Sequence, residues 1–288
     1  MEGITIFTPT YNRADKLIFL YKSLLKQTYT KFEWLIVDDG SSDNTKVVVD
    51  KFINDNKIDI NYIYQDNSGK HVAFNNAVNN AKYDLFMCVD SDDYLVDNIL
   101  RRIIEIWNNV KIDVNSKKIC GLMAHRGKNS HDTMFGEKFR SPNMYSTVKF
   151  EMKNGYFETT MLHRTDVLKM FPFPSFEGEK FLTEDIVWRQ IDSNYQYYIV
   201  PEVWTICEYL QDGLTNTTNI FKYPKGESEY FKIRYNTSRG FIEKIKEYSK
   251  YCVFSNVPLA DFFGQCFYLP ARILALLYKF RWKNRCKK

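Results

Sequence analysis

Phe32-Glu33-Trp34-Leu35-Ile36-Val37-Asp38-Asp39-Gly40 and Leu85-Phe86-Met87-Cys88-Val89-Asp90-Ser91-Asp92-Asp93 decide the fold. Each is a short, nearly uncharged apolar run that stops at a cluster of aspartates. Such runs are strands buried on both faces of a sheet. Working outward, Ile4–Phe7 is a similar run, closed by Thr8-Pro9-Thr10, and Ile60–Tyr64 and Ile119–Ala124 are two more. Helical spacing fills the gaps. Leu17, Leu20, Tyr21, Leu24 and Leu25 predict a helix over about 14–27. Asp43 opens a second helix carrying Val47, Val48, Phe52 and Ile53, and residues 72–81 form a third. Asp97 opens a fourth, with Ile99, Leu100, Ile103, Ile104 and Trp107 on its apolar face. Strand and helix in alternation mean an α/β fold: a doubly wound, mostly parallel sheet with helices on both faces. Ligands of such sheets sit beyond the carboxyl ends of the strands. Here those ends carry Thr8-Pro9-Thr10-Tyr11-Asn12, Asp38-Asp39 and Asp90-Ser91-Asp92-Asp93, so three polar clusters converge on one edge.

Beyond residue 128 the pattern loosens. A polar loop runs from Gly127 to Tyr145, followed by a strand near Phe157–Leu162 and a helix near Thr165–Met170. Another helix starts at about Thr183, a strand covers Tyr197–Val200, and the last 60 or so residues read as helical. The chain has 288 residues, 44% of them hydrophobic and 16% aromatic, enough for a sizeable core and too apolar for global disorder. No apolar stretch of ~18 residues suggests a membrane span. Met1-Glu2-Gly3-Ile4 leads straight into a strand, so no secretory leader is expected. The six cysteines are irregularly spaced and form no CxxC pair, and the four histidines lack metal-site spacing. A reduced, cytoplasmic compartment is the expectation. No GxGxxG follows the first strand and no GxxxxGK[ST] occurs, which argues against a dinucleotide oxidoreductase and a P-loop NTPase.

Asp90, Asp92 and Asp93 crowd three carboxylates at one strand end, and a cation relieves their repulsion. Hard oxygen ligands suit Mg²⁺ or Mn²⁺ shared with a substrate phosphate; a solvated acidic turn is the alternative. Asp38 and Asp39 exceed what a turn needs, and a carboxylate there can accept from a base N–H or a ribose hydroxyl. Tyr11 can stack on a nucleobase or be an ordinary half-buried tyrosine. Lys70 precedes a helix start and can face a phosphate or solvent. Glu184-Asp185 lies at another helix start, where a carboxylate either caps the helix or acts as a general base.

Taken in series, Thr8-Pro9-Thr10-Tyr11-Asn12-Arg13, Val37-Asp38-Asp39-Gly40-Ser41-Ser42-Asp43, Asp90-Ser91-Asp92-Asp93 and Thr183-Glu184-Asp185 resemble family 2 glycosyltransferases over roughly residues 3–215. The resemblance implies the Rossmann-like GT-A fold and a transfer that inverts the anomeric centre. It implies a donor nucleotide site of Thr8, Pro9, Tyr11 and Arg13 in the first loop, with Tyr11 against uracil. Asp39 would hold the uracil edge, Asp38 would support that loop or the nucleoside, and Asp90 would lie near the ribose and metal. Asp92 would be the metal ligand for Mn²⁺ or Mg²⁺, Asp93 would face the donor sugar, and Asp185 would be the catalytic base with Glu184 beside it. Many members carry an arginine where this chain has Phe74; the Gly69-Lys70 pair resembles the version in synthase-type members, which implies that Lys70 takes over part of the phosphate neutralisation. The Gln-x-x-Arg-Trp motif of processive members is absent, which implies single additions. Residues 1–215 would form the catalytic domain, with a donor half over about 1–125 and an acceptor half over about 126–215, and residues 216–288 a helical extension. Glu208-Tyr209 and Asp212-Gly213-Leu214 resemble an acceptor-side loop.

Charge divides along the chain. The net +5 is the balance of 40 Lys+Arg against 35 Asp+Glu, and the last 27 residues hold seven Lys/Arg and no Asp/Glu, leaving −2 on the preceding 261. Residues 262–288 interleave those cations with aromatics, which suits an anionic membrane surface, a docking helix being the alternative. With no recognition motif beside the charge, nucleic acid is not an expected partner. The expected activity is transfer of a sugar from a UDP-sugar to a glycan or lipid-linked acceptor in surface polysaccharide synthesis, peripheral on the inner face of the cell membrane. A sugar-1-phosphate nucleotidyltransferase would need a Gly-rich basic loop in place of Thr8–Arg13, and an inactive sugar-nucleotide scaffold would have no need of both Asp92 and Asp185.

Overall fold

The computed structural model describes residues 2–112, 118–136, 138–152, 158–207, 222–255, 273–275 and 277–278. Strand β1 (Ile4–Thr10) pairs in parallel with β2 (Phe32–Asp38) and β4 (Leu85–Cys88), and β2 pairs in parallel with β3 (Ile60–Tyr64). Successive side chains alternate between faces. Trp34 and Ile36 pack with Leu17 and Leu20 of α1 (Leu17–Leu25), with Val49 of α2 (Thr45–Asp55) and with Ile103 of α4 (Ile99–Val110). Leu35 and Val37 pack on the other face with Ala73 and Phe74 of α3 (Lys70–Asn80). The expected α/β sheet with helices on both faces is therefore present.

The second half of the sheet is mixed. In spatial order the strands run β3-β2-β1-β4, then β8 (Thr159–Arg164), β6 (Ile119–Gly127), β9 (Gln196–Cys207) and β5 (Asp93–Leu95), with β7 (Tyr145–Ser146) also pairing β9. Strand β8 (Thr159–Arg164) lies antiparallel between β4 and β6 (Ile119–Gly127). Strand β9 (Gln196–Cys207) runs parallel to β6 and continues past Pro201, beyond the Tyr197–Val200 expected from sequence. The ladder shifts register between Met123 and His125, which absorbs the proline and its missing N–H. At its far end β9 pairs antiparallel with β5 (Asp93–Leu95), placing Asp93 in a strand where the sequence suggested a loop. The short helices α5 (Val148–Glu151), α6 (Thr165–Met170) and α7 (Asp185–Ile191) complete this half.

Helix ends show where local and tertiary forces divide. The Asp43 carboxylate accepts from the Thr45 N–H at 2.9 Å, the expected role at the start of α2. Asp97 does not cap α4. It pairs with Lys26 at 3.2 Å, Asn98 takes the left-handed entry position (φ 59°), and Gln27 of the loop after α1 accepts from the Leu100 N–H at 3.1 Å. Asparagine tolerates that backbone region, so the cap position moves by one residue and its hydrogen bond comes from a distant side chain.

Helices α8 (Pro224–Thr237) and α9 (Phe241–Phe254) share a small core of Phe231, Ile245, Tyr248, Tyr251 and Phe254, and Ile233 of α8 joins the core beneath α7. The Glu179 carboxylate accepts from the Lys225 and Gly226 N–H groups at 2.9 and 2.7 Å and fixes the start of α8. The division near residue 215, the loop at 208–214 and most of the basic stretch 262–288 lie outside the described residues. No described helix is long and apolar enough to cross a membrane.

Gly121 sits where β6 meets β8, and a Cβ there would lie 1.7 Å from the Leu162 carbonyl oxygen. Gly121→Ala is expected to force the strands apart and cost roughly 3 kcal/mol or more, measured by urea unfolding. Buried Glu227 of α8 gives a pH test. Burial, with help from Glu179, pushes its carboxyl from 4.5 up to about 7. The unfolded chain ionises first, so this group withdraws stability as pH rises through that window. Glu227→Gln should match wild type in melting temperature near pH 4.5 and exceed it at pH 8.

Candidate active site

Side by side at the carboxyl ends of β2, β1 and β4 lie Asp38-Asp39, Thr10-Tyr11-Asn12 and Asp90. Asn12 clasps the first two loops: its backbone is left-handed (φ 52°), and its side-chain oxygen accepts from the Ser42 N–H at 2.8 Å. Tyr11 is left 50% exposed at the mouth, and Pro9 and Arg13 are half-buried. Thr8 is fully buried and its hydroxyl accepts from the Trp34 indole at 2.9 Å, so this side chain is committed to the core.

Asp38 and Asp39 are buried braces. Asp38 accepts from the Ser41 N–H at 2.8 Å and the Tyr62 hydroxyl at 2.7 Å. Asp39 accepts from Gln65 Nε2 and from the Ser68 and Gly69 N–H groups, each at 2.8 Å. These bonds set the loop that leads into α3. Gly69 has φ +97°, and a Cβ on it would lie 2.1 Å from the Lys180 carbonyl oxygen, so the loop before α7 crosses directly over it. That crossing brings Glu184 to Lys70.

Lys70 Nζ lies 2.6 Å from Asp90 Oδ1 and 2.9 Å from Glu184 Oε1. Burial alone would favour the neutral amine, but the two carboxylates outweigh it and hold Lys70 charged well above its ordinary range. Asp90 Oδ2 receives Arg126 Nη2 at 3.1 Å. Burial raises the Asp90 carboxyl, and the two cations override this and lower it. Arg126 Nη1 also lies 3.5 Å from Asp93 and 3.7 Å from Glu158. Asp93 is only 4% exposed and its Oδ2 has no hydrogen bond. Burial and repulsion from Asp90 and Asp92 push Asp93 up to about 7 against the pull of Arg126.

Among the described residues no three His, Cys, Asp or Glu side chains form a metal cage. The donors present do fit a cation held partly by the protein. Asp90 is committed to Lys70 and Arg126, whereas the half-buried Asp92 carboxylate makes no hydrogen bond or ion pair with a described residue. One aspartate oxygen plus substrate phosphate and water is coordination that Mg²⁺ and Mn²⁺ accept.

Asp185 opens α7. Its Oδ2 receives Arg189 Nε at 2.5 Å, one helical turn along, and the Tyr230 hydroxyl at 3.1 Å, with Arg234 Nη1 at 3.7 Å. All three approach the same oxygen, and Oδ1 takes none of them. The structure thus brings Lys70, Asp90, Asp93, Glu184 and Asp185 to one edge. Sequence reasoning missed Arg126, which lies at the end of a strand with no motif around it, and Tyr230 and Arg234, which reach the site from α8. Phe74, standing where an arginine was the common alternative, is buried edge-on against Phe7, Phe173 and Trp188. The cations beside Asp90 are Lys70 and Arg126 instead. A separate groove of about 500 Å³, lined by Lys82, Trp107, Arg164 and Lys169 among others, lies at the amino end of β4, away from these carboxylates.

Comparison with known proteins adds the following. Residues 5–177 match the description "Glycosyl transferase family 2". Poly-beta-1,6-N-acetyl-D-glucosamine synthase of Staphylococcus aureus is 35% identical over 130 residues, 45% of this chain and 31% of that protein. Glycosyltransferase GlyG of Streptococcus pneumoniae is 34% identical over 115 residues, 39% of this chain and 38% of its own. The chain thus spans about a third of the length of these relatives. Among solved structures, S. aureus TarS 1–349 in complex with UDP-GlcNAc superposes with a TM-score of 0.64 at 18% identity, covering 95% of this chain and 79% of that one. The mannosyltransferase PcManGT of Pyrobaculum calidifontis, in complex with GDP-Man and Mn²⁺, gives 0.58 at 16% identity, covering 95% and 78%. These two likenesses establish the shared fold.

Asp39→Ala would leave the Ser68 and Gly69 N–H groups without their acceptor, at a cost of about 1–3 kcal/mol for each. Amide hydrogen exchange at Ser68 and Gly69 is expected to accelerate, with α3 beyond its first turn unchanged.

Proposed function

The chain belongs to glycosyl transferase family 2, and from that premise we propose that it moves a sugar from a UDP-sugar to a hydroxyl of a glycan or lipid-linked acceptor, with inversion, in surface polysaccharide synthesis. The observation that carries this reading is Lys70, which touches Asp90 on one side and Glu184, the neighbour of Asp185, on the other, at 2.6 and 2.9 Å. On this reading the donor-side carboxylate Asp90 and the turn that carries the base Asp185 are linked through a single ammonium. Transfer of a glycosyl group needs both, one at the leaving group and one at the nucleophile.

Each residue has a role in this scheme. Exposed Tyr11 stacks on the base, with Pro9 and Arg13 in the same loop, and Asp39, braced by its loop, faces the base edge. Asp90 stands at the ribose end, Asp93 faces the donor sugar, and Lys70 and Arg126 offset diphosphate charge. Asp92 would hold Mn²⁺ or Mg²⁺; such an ion, when bound, supplies positive charge to the leaving diphosphate. Asp185 accepts the proton of the acceptor hydroxyl at Oδ1 as the new glycosidic bond forms and the bond to UDP breaks. Glu184 keeps Lys70 in place. UDP-GlcNAc is the first donor to test, since relatives are named for N-acetylglucosamine polymers and a structural neighbour holds this donor. The basic, aromatic stretch 262–288 is read as a contact with an anionic membrane surface on the cytoplasmic side.

UDP release from a panel of UDP-sugars with Mn²⁺ tests the scheme. Asp92→Ala and Asp185→Asn are each expected to lower the rate ~100-fold or more. Asp185→Asn should still bind UDP by calorimetry, whereas Asp92→Ala should lose the Mn²⁺-dependent part of that binding. Rates unchanged in both variants would refute the assignment.

A further inference from the structure

Asp185 is held from outside its own helix, by a chain of groups on α8 and α9. The Tyr230 hydroxyl donates to Asp185 Oδ2 at 3.1 Å and itself accepts from Arg234 Nη1 at 2.7 Å. Arg234 turns its other face to Glu247, with Nε at 2.8 Å and Nη2 at 3.0 Å from the two carboxylate oxygens. Lys250 completes the series at 3.2 Å from Glu247. Glu247 is almost fully buried, so the fork it offers Arg234 is fixed by packing. Burial, then the Asp185 charge, raises the Tyr230 phenol to about 12, so it remains a proton donor at physiological pH.

We propose that Tyr230 and Arg234 are positioning residues for the glycosyl transfer: they hold Asp185 Oδ2 so that Oδ1 faces the acceptor hydroxyl, which makes helices α8 and α9 part of the catalytic apparatus. The inference rests on the reading of Asp185 as the base. Three observations favour it over a purely structural contact. The polar series ends on a half-exposed carboxylate at the site edge, where packing alone has no use for it. Both α8 donors and Arg189 address the same oxygen, which fixes a carboxylate in rotation about its last bond as well as in place. The hydroxyl of Tyr230 is oriented by Arg234, so it has only one proton to give and only one direction in which to give it.

The test is steady-state UDP release from UDP-GlcNAc with Mn²⁺, using the full chain and the variants Tyr230→Phe, Arg234→Lys, Arg234→Gln and Asp185→Asn. Tyr230→Phe removes one oxygen and keeps the ring packing. It is expected to lower kcat about tenfold while KM for UDP-GlcNAc and UDP affinity stay within about twofold, because a misdirected base slows the chemical step and leaves donor binding intact. Arg234→Lys should also lower kcat at near-constant KM, by less than Arg234→Gln. If Asp185→Asn is inactive but Tyr230→Phe keeps wild-type kcat, the positioning role is overturned and the base reading stands. If Asp185→Asn keeps wild-type kcat, both fall. An Arg234 variant that fails to fold leaves the decision with Tyr230→Phe. A Tyr230→Phe that raises KM and lowers melting temperature together with kcat would mark the contact as structural and overturn the proposal.

Discussion

The Lys70 ammonium, set between Asp90 and Glu184, is the interaction on which the rest of the site depends. Asp90 ends a core strand, and Glu184 belongs to a loop that arrives more than 90 residues later. Asp90, the more buried of the two, is the carboxylate that most needs a cation beside it. A buried carboxylate needs a paired charge, and a lone buried lysine would tend to lose its proton. Lys70 and Arg126 together offset part of the charge of an edge that also contains Asp93 and Glu158. The two halves of the sheet are tied at this edge, and the same charges that hold it together would be redistributed by an anionic ligand.

The geometry reaching this point is built in layers. Gly69 allows one loop to pass over another, Asp39 fixes the loop that precedes α3, and α3 presents Lys70 at its first residue. On the other side, α8 is seated by Glu179 and reaches Asp185 with Tyr230 and Arg234. Each layer uses backbone N–H groups or rigid packing to place a charged group, which limits how far the site can relax when it is empty or filled.

Much of this was legible in the sequence. The apolar runs that end in aspartates gave the strands and marked their carboxyl ends, because a strand buried on both faces tolerates little charge before it leaves the sheet. Lys70, Asp90, Glu184 and Asp185 were all singled out from position alone. Other features were out of reach. Asp97 looked like a helix cap and is not one, because Gln27 supplies that bond from 73 residues away. Thr8 lies within the matching motif, yet its hydroxyl serves Trp34. Strand β5 is three residues long and exists only because β9 pairs with it.

The sequence by itself determined the layered α/β architecture, the edge at which chemistry would collect and the acidic residues offered there. These follow from hydrophobic period and from where charge is permitted, both of which are local properties of the chain. Only the tertiary structure decided which charges meet. It chose Lys70 and Arg126 as the cations, placed Asp93 in a buried strand, committed Asp39 to its loop and brought α8 to Asp185. Those outcomes depend on contacts between residues far apart in the chain, and no local pattern encodes a distance between two side chains that only folding brings within 3 Å.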